Sequence, residues 1–231
     1  LIGPEHHENG AMFHRTLSCL PALTGAWAER GGGVSKSTGG WTECQMDVDA
    51  ILRPDLEVGN SRTLNMSRLG QILTHPHAGE NDGPAVHAFI NWNCNPVVTT
   101  PNAELIKQGL LRDDIFTVVH EQFLTDTAKY ADIVLPATTQ IEADDIVFSW
   151  GSLHTNYNNA AIPPLGESVS NPELFRRLAD AMGYTEPALF DDDETLMREG
   201  APDLDLDGLR DTMWQEAPYP ADGRPFGDGD F

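Results

Sequence analysis

The sequence predicts an α/β fold, a Rossmann-like parallel sheet with flanking helices, and three observations carry that prediction. Val86-His87-Ala88-Phe89-Ile90-Asn91, Ile115-Phe116-Thr117-Val118-Val119-His120 and Asp132-Ile133-Val134-Leu135-Pro136 are short apolar runs rich in branched residues. Such runs suit strands buried on both faces of a parallel sheet. A helical segment separates the first two runs, and strand, helix, strand is a βαβ unit with a right-handed crossover. Residues 172–182 carry both boundary signals of a helix. Ser170 and Glu173 have capping-box spacing, Pro172 suits the first turn and Gly183 follows the last apolar residue.

Taken in order, Met12, Phe13, Leu17, Leu20 and Leu23 recur at helical intervals between Gly10 and about Arg30. Pro21 should kink or interrupt that helix, and Gly31-Gly32-Gly33 should end it. Residues 34–62 show no clear period and hold several turn formers, which predicts a long irregular connection. A second helix is expected over 66–74 and a polar loop over 75–84. Between the first two strands, Pro101 suits the first helical position with Thr100 as its cap, and Gly109 marks the end. The helix at 172–182 gathers Leu174, Phe175, Leu178, Ala179 and Met182 on one face. Beyond about Pro187 acidic clusters alternate with weak helical patterns. Residues 1–185 are therefore expected to form the α/β domain, and 186–231 an acidic, irregular or weakly helical extension.

The chain has 231 residues, enough for one good-sized domain or two small ones. It opens at Leu1 without Met and reads as a piece of something larger. Its formal charge of −22, from 36 acidic and 14 basic residues, disfavours nucleic acid as a partner, because phosphate neutralisation needs clustered Lys and Arg. The only lysines are Lys36, Lys107 and Lys129, a balance suited to a high-salt cytoplasm where self-repulsion is screened. The plainer account is an acidic tail, since 191–193, 203–211 and 222–230 supply much of the excess. No run of eighteen apolar residues occurs, so no membrane span is expected, and no basic-then-apolar signal segment opens the chain. Cys19, Cys44 and Cys94 form neither a C-x-x-C pair nor an iron–sulfur spacing and read as small buried or unpaired residues.

In an open parallel sheet ligands bind outside the carboxyl ends of the strands. Asn93 and Asn95 follow the first strand, and His120 and Glu121 follow the second, so these loops are the binding candidates on topology alone. An Asn offers donors and an acceptor, and a carboxylate such as Glu121 takes two N–H bonds from a guanine edge or two ribose hydroxyls. A helix starting near Thr125 would present backbone N–H groups to a phosphate. Each has a plainer reading. Asn95-Pro96 is a common turn, Thr125 and Thr127 are ordinary helix-start residues, and Cys94 is a half-buried thiol. Glu142 with Asp144 and Asp145 has the look of an acid/base pair in a chain where surface acids abound. Three further motifs fail or lack support. His6-His7-Glu8 lacks the second histidine of a zinc-protease helix. Gly31 to Lys36 matches neither a dinucleotide nor a triphosphate loop, and His75, His77 and His87 share a metal only if their loop folds back.

The stretch from Phe123 through Thr125, Thr127, Ala128, Ala131, Asp132, Leu135 and Pro136 to Glu142 follows the phrase F-x-T-x-T-A-x-x-A-D-x-x-L-P-x-x-x-x-x-E. With Asn93-Cys94-Asn95-Pro96 and Pro101-Asn102 upstream, and Pro164-Leu165-Gly166-Glu167 and Ser170-Asn171 downstream, it resembles the molybdopterin oxidoreductases. These are large enzymes that bind bis(molybdopterin guanine dinucleotide). The resemblance runs to about Gly183 and implies that 1–185 is the later half of an α/β domain holding a guanine dinucleotide arm, within a larger multidomain enzyme. By position it implies cofactor contacts from Ile2 and His6 in the opening segment, Asn95 after the first strand, His120 and Glu121 after the second, and Asn171 before the last clear helix.

The same resemblance implies no catalytic residue and no metal ligand here. In the family the 4Fe-4S cysteines and the protein ligand to molybdenum lie before this region, and a final cofactor-binding domain follows it. The implied activity is two-electron chemistry at molybdenum or tungsten, with an oxygen atom or proton moved. The implied partners are the rest of the same polypeptide, an iron–sulfur electron-transfer subunit and a small-molecule substrate. The chain departs from the family at His6, where many members have Gln, near His120 and Glu121, where they have Ser or Asp, at Ala143, where they have Lys, and at Asn171, where they have Asp. Glu121 keeps the carboxylate, whereas Ala143 removes one phosphate cation. Nitrate, formate, sulfur-oxyanion, arsenic and N-oxide substrates all stay open, as does the compartment. The competing reading is a non-catalytic α/β binding or scaffold remnant.

Overall fold

A computed structural model describes residues 2–34, 46–57, 59, 61–74, 83–149 and 152–216. The expectations for Cys44, His75, His77 and the acidic stretch 222–230 lie outside the described residues. The chain divides into two compact units, each drawn from separated segments: 53–144 with 159–193, and 1–52 with 145–158 and 194–231.

The first unit contains the predicted parallel sheet. Its strands are β1 (Ala88–Trp92), β2 (Phe116–Glu121) and β3 (Ile133–Pro136), ordered β1-β2-β3. Trp92 pairs with His120, and His120 with Leu135, so the three carboxyl ends finish level. A parallel bridge from Ala137 to Val169 continues the edge beyond β3. The α/β prediction is met, with one correction. On one face Phe89 joins the core of Leu73, Val97, Ile106, Leu110 and Ile115, beside fully buried Val119. On the other, Ile90, Phe116 and Ile133 are 41%, 50% and 43% exposed, so burial on both faces does not hold for this chain.

Two helices cover the packed face, Leu69–Thr74 and Ala103–Leu110. They approach closely because a Cβ on Gly70 would lie 2.7 Å from the Leu105 Cβ, and one on Gly109 would lie 2.2 Å from the Leu73 Cβ. The expected helix start at Pro101 moves. Pro101 holds Thr100 extended (φ −103°, ψ 144°) and so ends a short turn of helix over Pro96–Thr99 that the sequence reading took for a simple turn. The next helix begins only after Asn102, whose left-handed backbone (φ 64°) an Asn tolerates. The helix over Asn171–Ala181 is capped as expected, with the Ser170 hydroxyl accepting from Glu173 N–H at 3.3 Å. The reciprocal half of that box is absent, because Glu173 is drawn to Arg176 and Arg177 instead.

The second unit holds an antiparallel sheet of Asp145–Phe148, His154–Asn158 and Trp214–Glu216, which the sequence reading missed. Its signal was the in-out alternation of His154-Thr155-Asn156-Tyr157-Asn158, in which Thr155 and Tyr157 are buried. Tyr157 packs with Leu206 and Leu209 of the helix Leu206–Thr212, with Ala201 and Leu204 of the turn before it, and this cluster is flanked by Met197 of the helix Asp193–Gly200. Arg210 stacks over the Tyr157 ring at 5.1 Å and pairs with Glu194. The helix Gly10–Thr24 runs through Pro21 and stops at Gly25 (φ 71°), not at Gly31–Gly33, because the left-handed Gly25 closes the last turn on the carbonyls of Pro21 and Ala22. Cys19 on this helix and Cys94 in the loop after β1 are both unpaired, as one of the two readings had it, and both are exposed, so the half-burial expected for Cys94 does not hold.

Candidate functional site

Four of the six expected site residues emerge at the carboxyl edge of the parallel sheet or just beyond it. Asn95 follows β1, His120 and Glu121 close β2, and Asn171 comes two residues after the Val169 bridge. Ile2 opens the short helix Ile2–Glu5 and His6 follows it, exposed; both belong to the other unit.

The loop after β1 is shaped from inside. Buried Asn91 donates to the Cys94 carbonyl at 2.7 Å, and Asn93 turns the chain with φ 52°. Asn95 is then clamped by Thr127, which is fully buried. Asn95 Oδ1 accepts from the Thr127 hydroxyl at 2.7 Å and the Thr127 backbone N–H at 3.2 Å, while the same hydroxyl accepts from Val97 N–H at 3.2 Å. Thr127, by its sequence an ordinary helix-start residue, instead wires the loop after β1 to the loop after β2. The signal was present in the phrase T-x-T-A-x-x-A-D.

No helix starts near Thr125. A single 3-10 turn over Ala128–Tyr130 stands there, and three of the N–H groups around it are already used inside the fold. Thr127 N–H goes to Asn95, Ala128 N–H to the Thr125 hydroxyl and Tyr130 N–H to the Thr127 carbonyl. Asp132 accepts from Thr117 N–H at 2.7 Å and pins the start of β3 to β2.

At the end of β2, Glu121 is half-buried. One carboxylate oxygen accepts from Gln122 N–H at 2.8 Å, and the other has no partner among the described residues. Gln122 in turn donates to the Thr138 carbonyl at 3.0 Å, tying the loops after β2 and β3 together. The His120 ring is fully buried and neither nitrogen makes a well-formed hydrogen bond. Burial pushes its pKa below the ordinary histidine value, only partly opposed by the Leu135 backbone and the Glu121 carboxylate. Asn171 is exposed at the first position of its helix.

Glu142 is a loop tether. Its carboxylate accepts from the Thr139 hydroxyl (2.6 Å), Thr139 N–H (2.8 Å) and Leu165 N–H (2.8 Å), and those bonds hold its pKa below the usual carboxylate range. Asp144 accepts from Ala160 N–H at 2.7 Å, another loop tether. His87 meets the Asp114 carbonyl at 2.9 Å. Among the described residues no three His, Cys, Asp or Glu side chains could hold a metal, and no helix is long and apolar enough to cross a membrane.

A parallel sheet whose carboxyl edge is built by this phrase defines the class. The sequence model of the molybdopterin oxidoreductase family matches residues 2–181, and the chain belongs to that family of enzymes. The "Probable oxidoreductase YoaE" of Bacillus subtilis is 47% identical over 198 residues, covering 85% of this chain and 28% of the relative. The F420-dependent formate dehydrogenase subunit alpha of Methanocaldococcus jannaschii is 30% identical over 127 residues, 55% of this chain and 19% of the relative. Among solved structures, acetylene hydratase from Pelobacter acetylenicus superposes with a TM-score of 0.57 at 23% identity, over 72% of this chain and 23% of that one, a likeness of fold. The chain thus spans less than a third of the length of these relatives.

Proposed function

We propose that this chain is the cofactor-binding part of a molybdenum or tungsten oxidoreductase, and that the carboxyl edge of its parallel sheet takes the guanine dinucleotide portion of bis(molybdopterin guanine dinucleotide). The carrying observation is that Asn95, Glu121 and Asn171, from three separate stretches of chain, emerge along one edge with polar groups still available. The groups fit a nucleotide. Glu121 has a free carboxylate oxygen for guanine N–H or ribose hydroxyl groups, and Asn95 and Asn171 offer amides suited to base, sugar or phosphate oxygens. His120 sits fully buried in the sheet with two unsatisfied nitrogens, a polar group of the kind that calls for an explanation beyond the fold itself. Ile2 and His6 remain contacts implied by the family resemblance.

When bound, the metal–pterin centre supplies two-electron redox chemistry. This chain's own residues bind and orient the nucleotide end and hold none of the reacting atoms. An iron–sulfur cluster and an electron-transfer subunit belong to the same proposal, as does a small-molecule substrate whose identity rests on residues outside this chain.

The test is elemental analysis for molybdenum, tungsten and iron, with nucleotide release, on the full-length product of the native gene. Metal with about two GMP per chain is expected for two dinucleotide arms. Neither metal nor nucleotide from a cofactor-competent host would favour the scaffold remnant. Glu121→Ala in the full enzyme should lower GMP content; unchanged content removes Glu121 from the site.

A further inference from the structure

Resting on the cofactor reading above, we infer that Thr127 is a positioning residue that locks the Asn95 amide with its oxygen inward and its nitrogen outward, so that Asn95 meets the nucleotide as a donor only. The ligand group it selects is an acceptor oxygen: a phosphate, a base carbonyl or a ribose oxygen.

The orientation follows from the donors around Asn95. The Thr127 backbone N–H can only donate, so the Asn95 atom 3.2 Å from it is the oxygen. The Thr127 hydroxyl accepts from Val97 N–H at 3.2 Å, which aims its own proton at Asn95 Oδ1, 2.7 Å away. Every member of this relay is directional, and flipping the amide would set N–H against N–H. Asn95 Oδ1 therefore spends both lone pairs internally. Its Nδ2 has no partner among the described residues, and the half-buried side chain lies at the carboxyl edge where a ligand is expected in a parallel sheet. Because Thr127 is fully buried, it cannot touch the ligand itself and acts only through Asn95.

The geometry yields discriminating substitutions at both positions. Asn95→Asp keeps the oxygen that Thr127 grips and replaces only the outward donor by an acceptor. A purely structural Asn95 would tolerate that change, whereas a donor to an oxygen would not. Thr127→Ser keeps the hydroxyl relay and Thr127→Val removes it. Each variant is made in the full-length holoenzyme, and both the melting temperature and the rate of GMP-containing cofactor loss on dilution are read.

The expected result is a wild-type melting temperature for Asn95→Asp with cofactor loss roughly tenfold faster or more, the size of losing a hydrogen bond to a charged group. Thr127→Val should speed loss in the same direction, Thr127→Ser should restore the wild-type rate, and the Thr127→Val/Asn95→Asp double variant should lose cofactor no faster than Asn95→Asp alone. Faster loss from Asn95→Asp than from Asn95→Ala identifies a phosphate oxygen, through repulsion, and equal loss identifies a neutral carbonyl or ribose oxygen. Wild-type loss from Thr127→Val, with fast loss from Asn95→Asp, overturns the positioning role while leaving the cofactor site standing. Wild-type loss from Asn95→Asp and Asn95→Ala alike, or a holoenzyme without GMP, overturns the reading of this edge as a nucleotide site and the inference with it.

Discussion

Glu142 shows how a residue of the family phrase can serve as internal wiring. Three donors converge on one carboxylate, which fits the ionised form and leaves no room for a proton. Its folded pKa is depressed, so it stabilises the fold above the unfolded value of about 4.5 and loses that contribution as pH falls through the folded value. Glu142→Gln brings an N–H against a donor, so it should lower the melting temperature at neutral pH, and the gap from wild type should narrow below about pH 4. A gap unchanged down to pH 3 would count against the ionised tether. His120 has the opposite linkage. Its depressed pKa lets the unfolded chain take up a proton first, so stability should fall as pH drops below about 6.5, and His120→Phe should flatten that part of the melting profile.

At the scale of elements, the helices Leu69–Thr74 and Ala103–Leu110 depend on their glycines. Alanine is the better helix former by about 1 kcal/mol, yet a Cβ at Gly109 would lie 2.2 Å from the Leu73 Cβ, in the centre of the core. Overpacking of this kind costs about 1–3 kcal/mol or more, so sterics should win and Gly109→Ala should destabilise by roughly 1–2 kcal/mol in urea unfolding. A stabilised variant would mean the helices part freely. These elements were largely legible: the strand runs, the helix at 172–182 and its Ser170 cap all stand where their patterns put them. The start of Ala103–Leu110 was misread because Thr100 and Pro101 make a plausible cap, and only the short helix over Pro96–Thr99 uses up that stretch first. The antiparallel sheet escaped because its strands are short, because His154–Asn158 is polar along most of its length, and because the third strand, Trp214–Glu216, meets it across a long gap in sequence.

For the whole molecule, the formal charge of −22 is an electrostatic load on the folded state. Raising ionic strength from roughly 0.1 M to 1 M shortens the screening length from about 10 Å to about 3 Å. The melting temperature of the chain should therefore climb with potassium chloride over that range, and a flat profile would show that its carboxylates are already compensated by local pairs such as Glu194 with Arg198 and Arg210.

By itself the sequence determined the α/β class, the parallel strands and the family, because apolar runs, helix caps and the Phe123 to Glu142 phrase are local signals that survive without knowledge of contacts. Tertiary structure alone decided which polar residues keep unpaired groups at the sheet edge and which hold loops together. Thr127 and Asn95 lie 32 positions apart and Glu142 and Leu165 lie 23 apart, and no local pattern says that two such groups will meet. Hydrogen bonds saturate: an oxygen gripped inside the fold is lost to a ligand, and only the folded chain assigns each donor and acceptor to one use.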